Sequence, residues 1–353
     1  MKHTLIYIVI LIALGFGVWF FFFRDDSNIF TAKDAGFTIR DTGAIGKIFI
    51  ADENNQTVKL ERTNDGWKLN DRYKALPTAV QLLLFTLSTQ SAQRPVPENA
   101  HNDVVRNLAS ANKIEIYDRN DHKMRVFYVG DEAGGASGTY MLMEGGSRPY
   151  VVNIPGFEGY LTPRYMPIER TWRDRTVFDV DSSNITKVSV QYMLEPLNSF
   201  TINKTGNKTT VMLDPALMEG KTFNEKRAST YLSFFKNVNC ESIANGLNGV
   251  RESISSVPKL CGIDVEGKNG YRQHADIYFM PKSQRSKNMT SPITDTAGHF
   301  DSDRYYAVIN NKADTVAIQT FIFNKFFRRG YEFYMDDVRP EQPQAQTSNT
   351  ATH

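Results

Sequence analysis

Residues 5–23 read LIYIVILIALGFGVWFFFF, an unbroken apolar run that opens four residues into the chain. A helix rises about 1.5 Å per residue, so this length covers roughly 28 Å, close to the roughly 30 Å hydrocarbon core of a bilayer. The run predicts a single membrane-spanning helix. A cleaved secretory signal would need small residues at its end, whereas Phe20, Phe21, Phe22 and Phe23 lead directly into Arg24, Asp25 and Asp26 with no A-x-A pattern. No cysteine lies nearby, which closes the lipoprotein route. Lys2 and the amino terminus stand against Arg24, and this balance favours a cytoplasmic N-terminus with Trp19 near the outer interface. More than 300 residues then lie outside.

The remaining composition bounds the function classes. The chain has 353 residues, and its 41 basic and 39 acidic side chains leave a net charge of +2. No global field recruits nucleic acid. Cys240 and Cys261 are the two cysteines, and outside the cytoplasm they form either one disulfide loop or two buried thiols.

Periodicity beyond the run repeats one order of elements twice. In the first copy Ile48, Ile50, Val58 and Leu60 alternate with polar neighbours as an antiparallel hairpin, and a short strand follows around Trp67. Behind Pro77, Val80, Leu83, Leu84 and Leu87 fall at helical spacing, and residues 102–109 form a shorter helix with Val104, Val105 and Leu108 on one face. Strands return at 114–117, 126–129, 140–143 and 150–153, with Gly145 and Gly146 making the last turn.

The second copy runs through Val188, Val190 and Tyr192, then Phe200 and Ile202, then Val211 and Leu213. A helix follows, opened by a capping box from Thr222 to Glu225 and carrying Ala228, Tyr231, Leu232 and Phe235. A shorter helix holds Leu247, Val250, Ile254 and Val257, and four strands close the copy at 263–265, 275–279, 305–309 and 315–318. Ile45 corresponds to Ile185, Ile114 to Ile263 and Tyr140 to Tyr306, so the offset grows from 140 through 149 to 166. Most of the last increment is the polar stretch 281–303.

The fold class read from this pattern is α+β: one N-terminal transmembrane helix, then two tandem homologous domains with mainly antiparallel sheets. The domain reading is an anchor over 1–24, a linker over 25–36, repeats over 37–166 and 167–338, and a disordered polar tail over 339–353.

The stretch FTIRDTGAIGKIF from Phe37, Gly66-Trp67, Gly138-Thr139-Tyr140-Met141, the run IPGFEGYL from Ile154, Arg164-Tyr165 and Trp172-Arg173 together resemble a bacterial family, domain-of-unknown-function family 4340, in its Bacteroidota-type membrane-anchored form. The resemblance covers the first copy and the joint well and the second copy loosely. It implies an inner-membrane protein whose domains lie in the periplasm. Relatives beside ABC-type transport components, resembling the gliding-motility auxiliary system, imply an accessory role in an envelope complex. The family supplies no catalytic residues to carry over.

Local chemistry is sparse. His3, His101, His122, His274, His299 and His353 form no pair at i, i+4, so no metal is expected. Residues 130–138, GDEAGGASG, have the glycines of a phosphate cradle but neither the following lysine nor the strand-to-helix context, and read as a mobile hairpin loop. No G-x-S-x-G elbow occurs. Asp118, Asp121, Asp301 and Asp303 lack a twelve-residue calcium loop. No catalytic residue, cofactor site or enzymatic activity is expected.

The joint between the copies is richer. Arg164, Arg170, Arg173 and Arg175 cluster with Tyr160, Tyr165 and Trp172, a mixture of guanidinium and aromatic groups that suits a ligand or partner contact, or that fastens the domains by salt bridges and stacking. The contact candidates are Tyr160, Arg164, Tyr165, Trp172 and Arg173. Phe321, Phe323, Phe326, Phe327, Tyr331, Phe333 and Tyr334 read as core packing after the last strand. Asp295-Thr296-Ala297 and Asp314-Thr315-Val316 resemble an O-glycosylation acceptor motif described in Bacteroidota, with Thr296 in a loop the better candidate.

The expected function is a non-enzymatic, membrane-anchored periplasmic scaffold or accessory subunit, its partners membrane proteins of an envelope complex. The alternative is a periplasmic module that binds glycan, peptide or lipid in the cleft between the copies.

Overall fold

The computed structural model describes residues 35–135, 137–283, 286 and 299–335. They divide into two compact units, the first ending at Asp174 and the second beginning at Arg175. The division falls eight residues beyond the expected boundary at 166.

The first unit is built from β1 (Ile45–Ala51), β2 (Thr57–Thr63), β3 (Gly66–Leu69), β4 (Tyr73–Lys74), α1 (Pro77–Thr89), β5 (Ser91–Pro95), α2 (Glu98–Leu108), β6 (Asn112–Asp118), β7 (Lys123–Ala133), β8 (Gly138–Met143) and β9 (Tyr150–Asn153). Its nine strands form one sheet in the order β4-β3-β2-β1-β6-β7-β8-β9-β5, and every neighbouring pair is antiparallel.

Alternation along the strands decides which helix covers which face. Phe127 and Val129 of β7, with Met141 and Met143 of β8, join Ile48, Ile50, Ile114 and Ile116 in the main core, where α1 supplies Val80, Leu83 and Leu87. Tyr128, Tyr140 and Leu142 point the other way and meet Val104 and Leu108 of α2 in a small second core. The sheet therefore lies between two helices. Gly138 sits at φ +139° where a Cβ would come within 2.6 Å of the Val152 carbonyl oxygen, so only glycine lets β8 approach β9 there.

After a short helix, α3 (Glu169–Trp172), the second unit comprises β10 (Thr176–Phe178), β11 (Ile185–Tyr192), β12 (Phe200–Thr205), β13 (Lys208–Met212), α4 (Glu225–Ser233), β14 (Val238–Asn239), β15 (Ser242–Ile243), α5 (Val250–Ser256), β16 (Lys259–Gly267), β17 (Arg272–Pro281), β18 (Phe300–Ile309), β19 (Asp314–Gln319) and α6 (Thr320–Phe323). Eight of the strands order as β13-β12-β11-β16-β17-β18-β19-β15, and β10 pairs with β14 apart from them.

Without β4, the first sheet's order maps onto the second strand for strand, and the registers follow. Ile50 stands opposite Ile114, as Val190 stands opposite Ile263. The ladder shifts between Ile45 and Lys47 and between Ile185 and Lys187. Tyr140 pairs with Val151, and Tyr306 with Ala317. Helix α4 sends Ala228, Tyr231 and Leu232 into the second core beside Val188, Ile263, Ile277 and Ala307, the spacing that α1 uses for Val80, Leu83 and Leu84.

The expectation of a fold headed by a membrane-spanning helix is corrected. The described chain is mostly antiparallel sheet, and among the described residues no helix is long and apolar enough to cross a membrane. The longest of them, α1, has 13 residues, which at about 1.5 Å each falls well short of a roughly 30 Å hydrocarbon core. Residues 5–23, which carried that expectation, lie outside the described residues, as do Thr296 and the tail over 339–353.

Smaller differences have local causes. The side chain that caps α4 is Asn224, which accepts from the Arg227 amide, so the helix starts three residues beyond Thr222. The loop expected over 130–138 is mostly ladder, since β7 continues to Ala133 and β8 resumes at Gly138. Helix α5 buries only Val250, and Leu247 stands 41 % exposed.

Candidate contact surfaces

The joint residues are held by the first unit's own polar network. Leu161 donates its backbone N–H to Thr139 Oγ1 at 2.6 Å, and the Thr162 hydroxyl donates to the Gly130 carbonyl at 2.5 Å. These bonds seat a 3-10 turn over Thr162–Tyr165 on the β7–β8 hairpin. Tyr165 is fully buried, its ring edge-on to Phe127, and its hydroxyl donates to Gln90 Oε1 at 2.6 Å. Gln90 in turn donates from Nε2 to the Phe37 carbonyl at 2.9 Å. Burial pushes the Tyr165 phenol well above its ordinary pKa, so it serves as a neutral donor.

Arg164 points out of the same turn. Its Nη1 donates to Thr86 Oγ1 at 2.9 Å while the Thr86 hydroxyl donates to the Leu82 carbonyl at 2.7 Å, and the guanidinium lies 4.6 Å from the Phe157 ring centre. The turn is thus locked to α1. Trp172 is buried and donates from Nε1 to the Met166 carbonyl at 2.8 Å. Arg173 is 5 % exposed with its guanidinium 3.7 Å from the Tyr73 ring centre, and its backbone bridges to Ala75.

Of the five residues expected to form a contact, Tyr165, Trp172 and Arg173 are therefore structural in place. Tyr160, 42 % exposed, and Arg164 remain at the surface; Arg164 links Phe157, 37 % exposed, to α1, whose Leu82 and Phe85, 47 % and 53 % exposed, are apolar surface that sequence reading missed. Arg170 is exposed. Arg175 falls in the second unit, where Nη1 donates to the Glu241 carbonyl at 3.0 Å. Cys240 and Cys261 are free thiols, both buried, and burial drives the Cys261 thiol far above its usual pKa.

A second apolar surface belongs to the second unit and was also missed. The connection between β11 and β12 reads MLEPLNS, residues 193–199. The connection between β1 and β2 at the equivalent place is DENNQ, residues 52–56, polar throughout. Met193, Leu194 and Leu197 are 56 %, 52 % and 64 % exposed. Met212, 64 % exposed, pairs with Thr201 at the start of β12 and so lies at the same end of the sheet. The loop is bonded at three points: the Ser199 hydroxyl accepts from the Tyr192 amide at 2.9 Å, Met193 donates to the Leu260 carbonyl at 3.2 Å, and Arg329 Nη2 meets Glu195 Oε2 at 3.2 Å. The fold holds four large apolar side chains out in water.

Each of these two units, an antiparallel sheet with helices against it, carries large apolar side chains exposed at its surface. The chain belongs to the family described as Domain of unknown function (DUF4340), whose model matches residues 67–254, from β3 through most of α5. No curated protein and no solved structure matches this chain.

Proposed function

We propose that the protein is a non-enzymatic accessory subunit or scaffold of an envelope complex, of the kind that accompanies ABC-type transporters. We place it at the inner membrane of a Bacteroidota-type bacterium, with the bulk of the chain on the periplasmic side. The apolar run over 5–23 supports the location. One observation carries the role: where the first copy has a polar hairpin connection, the second has a hydrogen-bonded loop that exposes Met193, Leu194 and Leu197 at the same sheet end as Met212. Exposed apolar groups grouped in one place mark protein contacts, and a pre-organised loop loses little entropy on binding. The partner chemistry is an apolar protein surface.

The test is affinity purification of the full chain in mild detergent with quantitative mass spectrometry. Replacing both Leu194 and Leu197 by Asp should deplete a defined membrane-protein set while the thermal midpoint of the purified variant stays that of the parent. An unchanged partner set contradicts the reading.

A second reading is a ligand-binding module for glycan, peptide or lipid. It draws on a cavity of about 800 Å³ within the second unit, where Asn248, Arg251, Glu252, Ser255 and Lys312 line the wall beside α5. A thermal-shift screen of the full chain against envelope glycans, peptides and lipids tests it, and a parent with no ligand-dependent shift removes it.

A further inference from the structure

Helix α1, PTAVQLLLFTLST, contains no charged residue. Its inner face is committed to the core through Val80, Leu83, Thr86 and Leu87. Its outer face presents Leu82 and Phe85, about half exposed and three residues apart, hence neighbours on the helix surface. The other exposed residues of the helix, Pro77, Thr78 and Gln81, are uncharged, so no charge on this side opposes its transfer to a less polar medium. The fold does not impose this. Helix α4, the counterpart in the second copy, keeps the same inward spacing yet carries Glu225, Lys226 and Arg227.

Two further features say what covers the outer face. Arg164 donates to Thr86 of the helix and lies over the Phe157 ring, which brings that exposed ring toward α1, and exposed Tyr160 follows in the same connection beyond exposed Glu158. Tyrosine with a polar tip, and arginine with an apolar stem, suit the zone between headgroups and hydrocarbon. The incoming chain is strapped to the C-terminal end of the same helix. Ile39 donates to the Leu87 carbonyl at 2.8 Å, the Thr38 hydroxyl to the Gln90 carbonyl at 2.6 Å, and Gln90 Nε2 to the Phe37 carbonyl at 2.9 Å. Residues 24–34 alone separate the apolar run from this strap. At up to about 3.5 Å per residue, that number of residues spans no more than roughly 40 Å.

We infer that the outer face of α1, with Phe157, Tyr160 and Arg164, rests on the surface of the lipid bilayer, its apolar side chains at the headgroup–acyl boundary. This rests on the proposed inner-membrane location. Apolar contact then occurs twice by different means, lipid on the first unit and protein on the second.

Spin labels on single introduced cysteines in the full chain test it, after reconstitution into vesicles of phosphatidylethanolamine and phosphatidylglycerol. Buried Cys240 and Cys261 stay unlabelled. The labelled sites are Leu82→Cys and Phe85→Cys on the face, Glu53→Cys on an exposed connection, and Ala13→Cys in the apolar run. Relaxation by oxygen is compared with relaxation by a water-soluble nickel chelate. The inference predicts an oxygen-to-chelate ratio several-fold higher at Leu82 and Phe85 than at Glu53, with Ala13 higher still. If Leu82 and Phe85 match Glu53 while Ala13 is in lipid, the face is overturned and the location stands. If Ala13 itself is open to the chelate, the location fails and the face with it. Protection of Leu82 and Phe85 from both reagents places a protein there and also overturns the inference.

Discussion

At the residue scale, Arg164 and Tyr165 show how adjacent side chains in one turn divide structural from surface work. Tyr165 is spent inside, closing a polar chain from Gln90 to Phe37 in an otherwise apolar core. Removing its hydroxyl leaves the buried Gln90 oxygen without that donor, so Tyr165→Phe should lower unfolding free energy by about 1–3 kcal/mol, measured by denaturant titration. The guanidinium-aromatic cluster was visible in sequence, but its division was not. Burial of Arg173 goes with stacking on Tyr73, 100 positions away, and with a backbone bridge to Ala75, 98 positions away, and no local pattern announces it. The thiols follow the same rule. Because both thiols are buried and burial holds that of Cys261 protonated, both cysteines should resist a thiol-specific reagent in the native chain and react together on unfolding; rapid native labelling would contradict the packing.

At the element scale, the long strands were legible because alternate residues face core and solvent with period two, which one window of sequence records. The short edges were not. Strands β4, β14 and β15 have two residues each, too few for any period, and exist only because a neighbour pairs with them. Helix α1 was legible on its inner side, where the spacing picks out Leu83 and Leu84 for the core. Leu82 and Phe85 fall outside that stripe, and nothing local in the sequence tells that these two large apolar side chains stay exposed. Leu83→Ala should therefore cost about 2–5 kcal/mol and Leu82→Ala within about 0.5 kcal/mol, read from chemical denaturation in detergent. Equal losses would mean that the helix is rotated from the position described. The loop over 193–199 escaped for a similar reason, since apolar residues beside strands are indistinguishable from strand ends until the turn is closed.

At the scale of the whole molecule, one topology appears twice, and its two versions differ at their surfaces. Matching strand order and matching register shifts survive, while a polar hairpin connection has become apolar and a charge-free helix has a charged counterpart. Folding also sets a common alkaline limit. Burial raises the phenols of Tyr165, Tyr192, Tyr231 and Tyr271 above their ordinary value of 10. A raised folded pKa means that the folded state holds the proton more tightly. The stability this contributes is present below pH 10 and is lost as pH rises above it. Tyrosinate absorbance should accordingly lag behind that of the unfolded chain above pH 10, then appear together with loss of tertiary structure.

The central claim is that the second copy's apolar connection meets a protein partner that the first copy's polar connection does not. A photo-crosslinking amino acid placed at Leu197, and in a separate strain at Asn55 in the equivalent connection, tests it in living cells. The account predicts a discrete crosslinked membrane protein from Leu197 and none from Asn55. The same product from both positions, or none from Leu197, would contradict it.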